Sequence, residues 1–281
     1  MGDSSQKHTF DAYIPYHPNV ESEADDAKRT RPAEEPEALR GLHGRILEQL
    51  GLAVCGQSIP TGTVMTIDDI ERQYGASRSV IRETVRVLES MGLVSSRRRV
   101  GVLVLPPSEW NLYDPQVIRW RLASPARITQ LRSLTELRTA VEPEAARLAA
   151  IRSPLTNASD LMGLAGQLWA AGEAGDQELF LSLDSQFHGL VLASSGNEMF
   201  AKLDGLVTEV LSGRTNFGLM PQHPHAEALQ LHVDVAAAIQ RGAPEVAEAA
   251  MLKIMQRTME EMSSMWDAPH QNLDFIRPAQ R

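Results

Sequence analysis

One short stretch of this chain reads as β-strand, and nearly everything around it reads as helix. After Gly92 the sequence runs LVSSRRRVGVLVLPP, two β-branched or leucine-rich segments flanking Arg97, Arg98, Arg99, Val100 and Gly101. That is a hairpin signal, with Gly101 available for a turn conformation that other residues resist. Three helical patterns precede it. Leu39, Leu42, Ile46, Leu47 and Leu50 recur at three- and four-residue spacing until Gly56 to Gly62, with Pro60, breaks the run. A short helix follows from Thr66, with Ile67, Ile70 and Tyr74 on its apolar side and Gly75 as its stop. Ser77 then caps a third helix, in which Val80, Ile81, Val85, Leu88 and Met91 point inward and Gly92 ends the run. Three helices and a hairpin predict a winged helix-turn-helix over residues 38–106.

The rest of the chain divides around that module. Residues 1–37, with Pro15, Pro18, Pro32, Pro36 and a charged run from Glu21 to Glu35, are predicted to be a disordered tail. Pro106, Pro107 and Pro115 mark a linker over 107–126. Within it Trp110, Leu112, Val117, Ile118 and Trp120 predict a short docking helix. Residues 127–266 read as six helices broken near 153–154, 172–175, 195–196, 218–224 and 242–244, and 267–281 as a loose tail. The expected fold class is mainly α, an N-terminal winged helix-turn-helix followed by an all-α helical bundle. Two domains also suit 281 residues at roughly 150 residues per domain.

Composition excludes several classes. With 43% hydrophobic and 22% charged residues, neither wholesale disorder nor a membrane protein fits. No run of eighteen apolar residues exists and the N-terminus lacks an apolar export stretch, so a cytoplasmic protein is expected. The one cysteine, Cys55, cannot form an intramolecular disulfide and excludes every multi-cysteine zinc motif. The net charge of −9 argues against a chain that coats nucleic acid throughout. Its distribution says more: residues 37–106 carry nine basic against seven acidic side chains, while the segments on both sides are net acidic. A compact basic module on a larger acidic one is a layout of DNA-binding regulators.

Arg78, Arg82 and Arg86 stand four residues apart and form one basic face opposite the apolar one. Such a helix can enter a major groove, where arginine donates two hydrogen bonds to guanine. Ser77 and Ser79 are placed to meet phosphate with the first-turn N–H groups. A solvated arginine face partly neutralised by Glu83 is the plainer reading. The hairpin tip weighs against it, because consecutive Arg97, Arg98 and Arg99 repel one another without an anionic partner such as DNA phosphate.

On these residues the sequence resembles the GntR family of bacterial transcription regulators, whose recognition helix has the pattern Ser-Arg-x-x-Val/Ile-Arg-Glu followed by Leu-x-x-x-Gly-Leu-Val and a glycine-containing wing. The matching positions are Ser77, Arg78, Ile81, Arg82, Glu83, Leu88, Gly92, Leu93, Val94 and Gly101. The resemblance implies double-stranded operator DNA as partner, a homodimer, and Arg78 and Arg82 as base readers. Arg86, Arg98 and Arg99 add DNA contacts. A third basic position of the family falls on Asp68, so that contact is missing. The acidic half resembles the effector-binding domain of the FadR subgroup, the FCD type. The resemblance runs through Leu137 to Ala150, Asp184 to His188, Asn197, and His232 in a His-x-x-Val-x-x-Ala-Ile pattern.

The chemistry of that half can also be argued directly. Asp184 and His188, four apart, lie one above the other on a helical face, as a carboxylate and an imidazole sharing a metal must. The resemblance adds His232 as a third ligand and Asn197 as an effector contact. Many relatives supply a further histidine from the last helix, a position taken here by Ile254. Three ligands and an open position still suit zinc, manganese or nickel. His223 and His225 lie nearby in sequence as substitutes. A metal-free pocket, in which the same polar groups bind the effector, is the alternative. Arg138 is the candidate anchor for an effector carboxylate, since a buried guanidinium forks onto one. Its bland alternative is a salt bridge to Glu142, four residues on.

The expected function is a DNA-binding regulator, a repressor whose helical domain senses a small carboxylate. Within the family, the stretch Glu109 to Trp120 and the missing histidine look most like regulators of sugar acids, which makes galactonate or gluconate the expected effector and lactate a shorter alternative. A metal-dependent hydrolase or other metalloenzyme is the rival class, because Asp/His/His with an open position also holds catalytic zinc. Against it, no general base is placed beside the cluster and no HExxH, phosphate loop or nucleophile elbow is present. An architectural DNA binder without a ligand leaves the inward polar groups of the helical half unexplained.

Overall fold

The computed structural model describes residues 41–221 and 223–266. The two tails expected at 1–37 and 267–281, and Leu39 of the first apolar stripe, lie outside the described residues. Helix α1 (Leu42–Cys55), strand β1 (Val64–Met65), α2 (Ile67–Tyr74), α3 (Arg78–Ser90), β2 (Val94–Arg97) and β3 (Gly101–Val104) make the first module. The hairpin forms with Arg97 opposite Gly101, and β1 adds to its far side with Val64 opposite Leu103, giving the antiparallel order β1-β3-β2. Sequence reading missed β1, which at two residues is too short to show alternation.

Each element has a local cause. Thr66 and Asp69 form a reciprocal capping box at the start of α2, and Gly75 ends it in the left-handed conformation. Ser77 sits at the N-cap of α3 but makes no side-chain cap bond there; its hydroxyl meets that of Ser79 at 3.0 Å instead. At the hairpin, Gly101 takes φ 124°, a conformation that other residues resist, as expected, and Arg99 adds a second positive φ of 66° at the tip. Gly101 opens β3, where a Cβ would also come within 2.5 Å of the Met65 carbonyl oxygen, so the close approach of β1 requires glycine as well.

After a single 3₁₀ turn (Pro107–Glu109), α4 (Pro115–Leu122) starts on Asp114, whose carboxylate accepts from the backbone of Gln116 and Val117. It lies between two cores. Val117 and Trp120 belong to the apolar cluster of the winged module, with Ile46, Leu50, Ile81 and Leu88. Ile118 and Leu122 belong to the cluster of the helical bundle, with Leu131, Phe187, Val210 and Met255.

The bundle comprises α5 (Arg127–Arg152), α6 (Leu155–Ala174), α7 (Gln177–Ser194), α8 (Glu198–Ala201), α9 (Asp204–Asn216), α10 (Ala226–Gln240) and α11 (Pro244–Trp266). Seven helices replace the six expected. The extra break, at Lys202 and Leu203, carries no glycine or proline to announce it. No helix among the described residues is long and apolar enough to cross a membrane.

Candidate functional site

Two surfaces carry the chemistry. The first lies on the winged module, where α3 turns Ile81, Thr84, Val85 and Leu88 into the core and leaves Arg78, Arg82 and Arg86 exposed. These arginines line one groove with Arg97, Arg98 and Arg99 of the hairpin. The wing is held against the helix by Glu89, whose carboxylate accepts from the Ser96 backbone at 2.7 Å. Arg86 pairs with Glu83 at 3.2 Å, and Arg78 with Asp68 of α2 at 2.6 Å. Arg82, Arg98 and Arg99 form no ion pair with a described residue. A run of arginines left without carboxylates on a folded surface is arranged for an anion outside the chain.

The second surface is internal. Asp184 and His188 come from α7 and His232 from α10, and all three side chains are buried. His188 Nε2 stands 3.4 Å, and His232 Nε2 3.2 Å, from the same oxygen, Asp184 Oδ1. The other nitrogen of each ring is engaged: His188 Nδ1 meets Glu142 Oε2 at 2.5 Å, and His232 Nδ1 meets the Ala228 carbonyl at 2.9 Å. That carbonyl can only accept, so Nδ1 of His232 carries a proton. Asp184 Oδ1 and His232 Nε2, both buried, have no hydrogen-bond partner among the described residues.

A buried carboxylate oxygen without a hydrogen-bond partner is costly unless something electropositive lies beside it. Ligand atoms of the three residues lie within 4.8 Å of one another, and a carboxylate with two imidazoles, each oriented by its far nitrogen, is a donor set that suits zinc, manganese or nickel. The residues present fit such an ion. Burial works against charge throughout this row, and pairing outweighs it. Arg138 and His188 pull the Glu142 carboxyl down to about 2, Glu142 and Asp184 push the His188 imidazole up to about 9, and the two histidines hold Asp184 well below the usual carboxylate range.

The cluster forms one wall of a cavity of about 50 Å³, whose polar lining also includes Arg138, Arg214, Arg257, Thr258 and Glu261. Arg138 makes the Glu142 salt bridge considered from its spacing, with Nε 2.5 Å from Oε1 and Nη2 3.4 Å from Oε2. Its Nη1 remains buried without a partner. Arg214, on α9, repeats the arrangement: Nη2 donates to Glu261 at 2.9 Å, Nη1 lies 3.5 Å from Thr258 Oγ1, and Nε is buried without a partner. Burial and the neighbouring Arg138 both lower the Arg214 pKa. Ile254, which takes the position of the further histidine in the family resemblance, lines the cavity from α11.

Two sequence expectations lie away from the cavity and a third borders it without joining the cluster. Asn197 is not among the cavity's lining residues; its side chain accepts from the Met199 backbone at 2.9 Å as the N-cap of α8, which commits it to the helix start. His223 packs against Gly175, while His225 borders the cavity, and neither joins the group of candidate ligands. Glu142 and Arg214 were missed as site residues. Each lies on a different helix from the Asp-x-x-x-His pair, and only the fold brings them to it.

Comparison with known proteins agrees with this division. Residues 133–257 match the FCD domain. The galactonate operon transcriptional repressor of Escherichia coli is 26% identical over 225 residues, 79% of this chain and 96% of that protein. A probable D-xylose utilization operon transcriptional repressor of Paenarthrobacter nicotinovorans is 27% identical, over 69% of this chain and 76% of its own length. Among solved structures, E. coli McbR/YncC aligns with a TM-score of 0.48 at 16% identity, covering 81% of this chain and 99% of that one. Both curated relatives are named as transcriptional repressors, not as enzymes. With a winged helix-turn-helix ahead of residues that match the FCD domain, the chain is similar to transcription regulators of the GntR type, FadR subgroup.

Proposed function

We propose that this regulator is a homodimeric repressor that binds operator DNA through α3 and the wing and is controlled by a sugar acid held in the bundle cavity. The observation that carries the reading is that Arg138 and Arg214, each with a buried N–H group lacking a partner among the described residues (Nη1 and Nε), line a cavity together with Asp184, His188 and His232. Buried donors without partners cost free energy, and a ligand oxygen at each would satisfy both.

Charge accounting narrows the ligand. Glu142 offsets Arg138, while Glu261 and Glu227 offset Arg214 and Arg257. A divalent ion on Asp184 and two neutral imidazoles leaves one positive charge, which suits a monocarboxylate rather than a dicarboxylate. Bound there, the ion would supply a Lewis-acidic anchor for a carboxylate and its α-hydroxyl. The similarity to a galactonate operon repressor favours an aldonate over lactate. A six-carbon acid needs more room than about 50 Å³, so the reading requires the cavity lining to rearrange on binding.

A thermal-shift screen of the metal-loaded protein tests this. Galactonate or gluconate should raise the Tm, lactate should raise it less, and the neutral parent sugars should not. Sedimentation of the same sample at micromolar concentration should give twice the 30.9 kDa chain mass. A monomer that still binds operator at full strength contradicts the dimer.

A further inference from the structure

One residue on the DNA-facing surface is of the wrong charge for its place. Asp68 lies exposed on α2, at the edge of the groove formed by Arg78, Arg82 and the wing. Next to phosphates a carboxylate is repelled, so its presence calls for a compensating role. At the helix start Asp68 offers a first-turn charge to the helix dipole, a small and screened effect, while the capping box itself is made by Thr66 and Asp69 and leaves Asp68 out. Folding does not supply that role either, since an ion pair this exposed contributes little to stability.

What Asp68 does is hold Arg78. Its Oδ1 accepts from Arg78 Nη1 at 2.6 Å, and Glu71 Oε2 stands 3.8 Å from the same nitrogen. Arg78 is the first residue of α3, where a recognition helix meets base edges. With Nη1 taken, Nε and Nη2 remain as the two parallel donors that fork onto guanine O6 and N7. No hydrogen bond or ion pair engages the second oxygen of Asp68 among the described residues, and Asp68 lines the same groove.

We propose that Asp68 is a specificity-determining residue. It positions Arg78 for a guanine and accepts a hydrogen bond from the amino group of the neighbouring base pair, cytosine N4 in the first place. The α2 and α3 helices then read two adjacent base pairs as a unit. The same carboxylate turns away thymine, whose major-groove edge presents an acceptor and a methyl group. This rests on the reading of α3 as the recognition helix.

Selection of full-length protein against a randomised duplex library, followed by anisotropy on the enriched duplex and its single-base variants, tests the proposal. The wild type should enrich a guanine beside a cytosine in each half-site. Arg78→Ala should erase the guanine preference. Asp68→Ala should relax the neighbouring position about tenfold, weaken the guanine preference and strengthen binding to unselected duplex, because a repelling charge is gone. Asp68→Asn, which keeps the shape but can also donate, should accept an altered base there. If Asp68→Ala and Asp68→Asn enrich the wild-type sequence with unchanged discrimination, and only overall affinity rises, Asp68 merely sets charge and the proposal fails. If Arg78→Ala also enriches the wild-type sequence, the recognition-helix reading fails first, which separates the two failures.

Discussion

Glu142 decides what His188 can do. Its two oxygens bridge Arg138 and His188, so one carboxylate neutralises a guanidinium and orients a metal-facing imidazole. In metal-free protein the His188 imidazole, raised to about 9, keeps its proton at neutral pH. Metal binding must expel that proton, so the apparent affinity should climb as pH rises and level off near 9. Titration in buffers of different ionisation enthalpy should register about one proton released at pH 7.5. Glu142→Gln should return His188 toward its ordinary 6.5 and flatten the dependence above it. The sign for stability without metal is the reverse. The His188 contribution is complete below 6.5 and is lost as pH rises through about 9, whereas that of Glu142 is complete above 4.5 and is lost as pH falls toward 2. Chelated protein should therefore have its highest Tm between pH 4.5 and 6.5.

On the proposed function, the recognition helix and the wing divide their work. Arg78→Ala and Arg82→Ala should each cost about 1–3 kcal/mol of specific operator binding with the fold intact, because both side chains lie outside the apolar stripe. Replacing Arg98 and Arg99 should weaken all duplexes alike and reduce the salt slope, which anisotropy at several salt concentrations reads directly. These elements were legible in the sequence because their signals are local. Gly75 and Gly92 bracket α3, Arg78, Arg82 and Arg86 repeat at helical spacing, and Asp184 and His188 share a turn. The Arg138–Glu142 alternative was legible for the same reason. Distant partners were not. Glu142 meets His188 across 46 positions, and Arg214 meets Glu261 across 47. No periodicity carries such pairs, since packing of α5 on α7 and of α9 on α11 creates them. Asn197 misled because an asparagine at a helix start serves capping as readily as binding.

At the scale of the whole molecule, α4 packs on both cores, and on the proposed function it would be the route by which a filled cavity reaches the winged module. On one side, Leu122 fits against Gly213 of α9, next to Arg214 in the cavity, and Arg119 pairs with Glu209 of the same helix at 3.4 Å. On the other, Trp120 lies on Gly51 of α1, where an added Cβ would come within 2.5 Å of the indole. Gly51→Ala should therefore cost about 1–3 kcal/mol of stability and blunt the change in operator affinity caused by effector, while effector affinity itself is retained. Thermal unfolding and anisotropy with and without galactonate separate the two effects. The central claim is that metal and sugar acid occupy the cavity together, and isothermal titration of galactonate into native, chelated and His232→Ala protein tests it most directly. The account predicts that chelation and His232→Ala each weaken galactonate binding at least tenfold, about 1.4 kcal/mol, with operator binding by the free protein unchanged. Galactonate affinity that survives both treatments and collapses only in Arg138→Ala would contradict it.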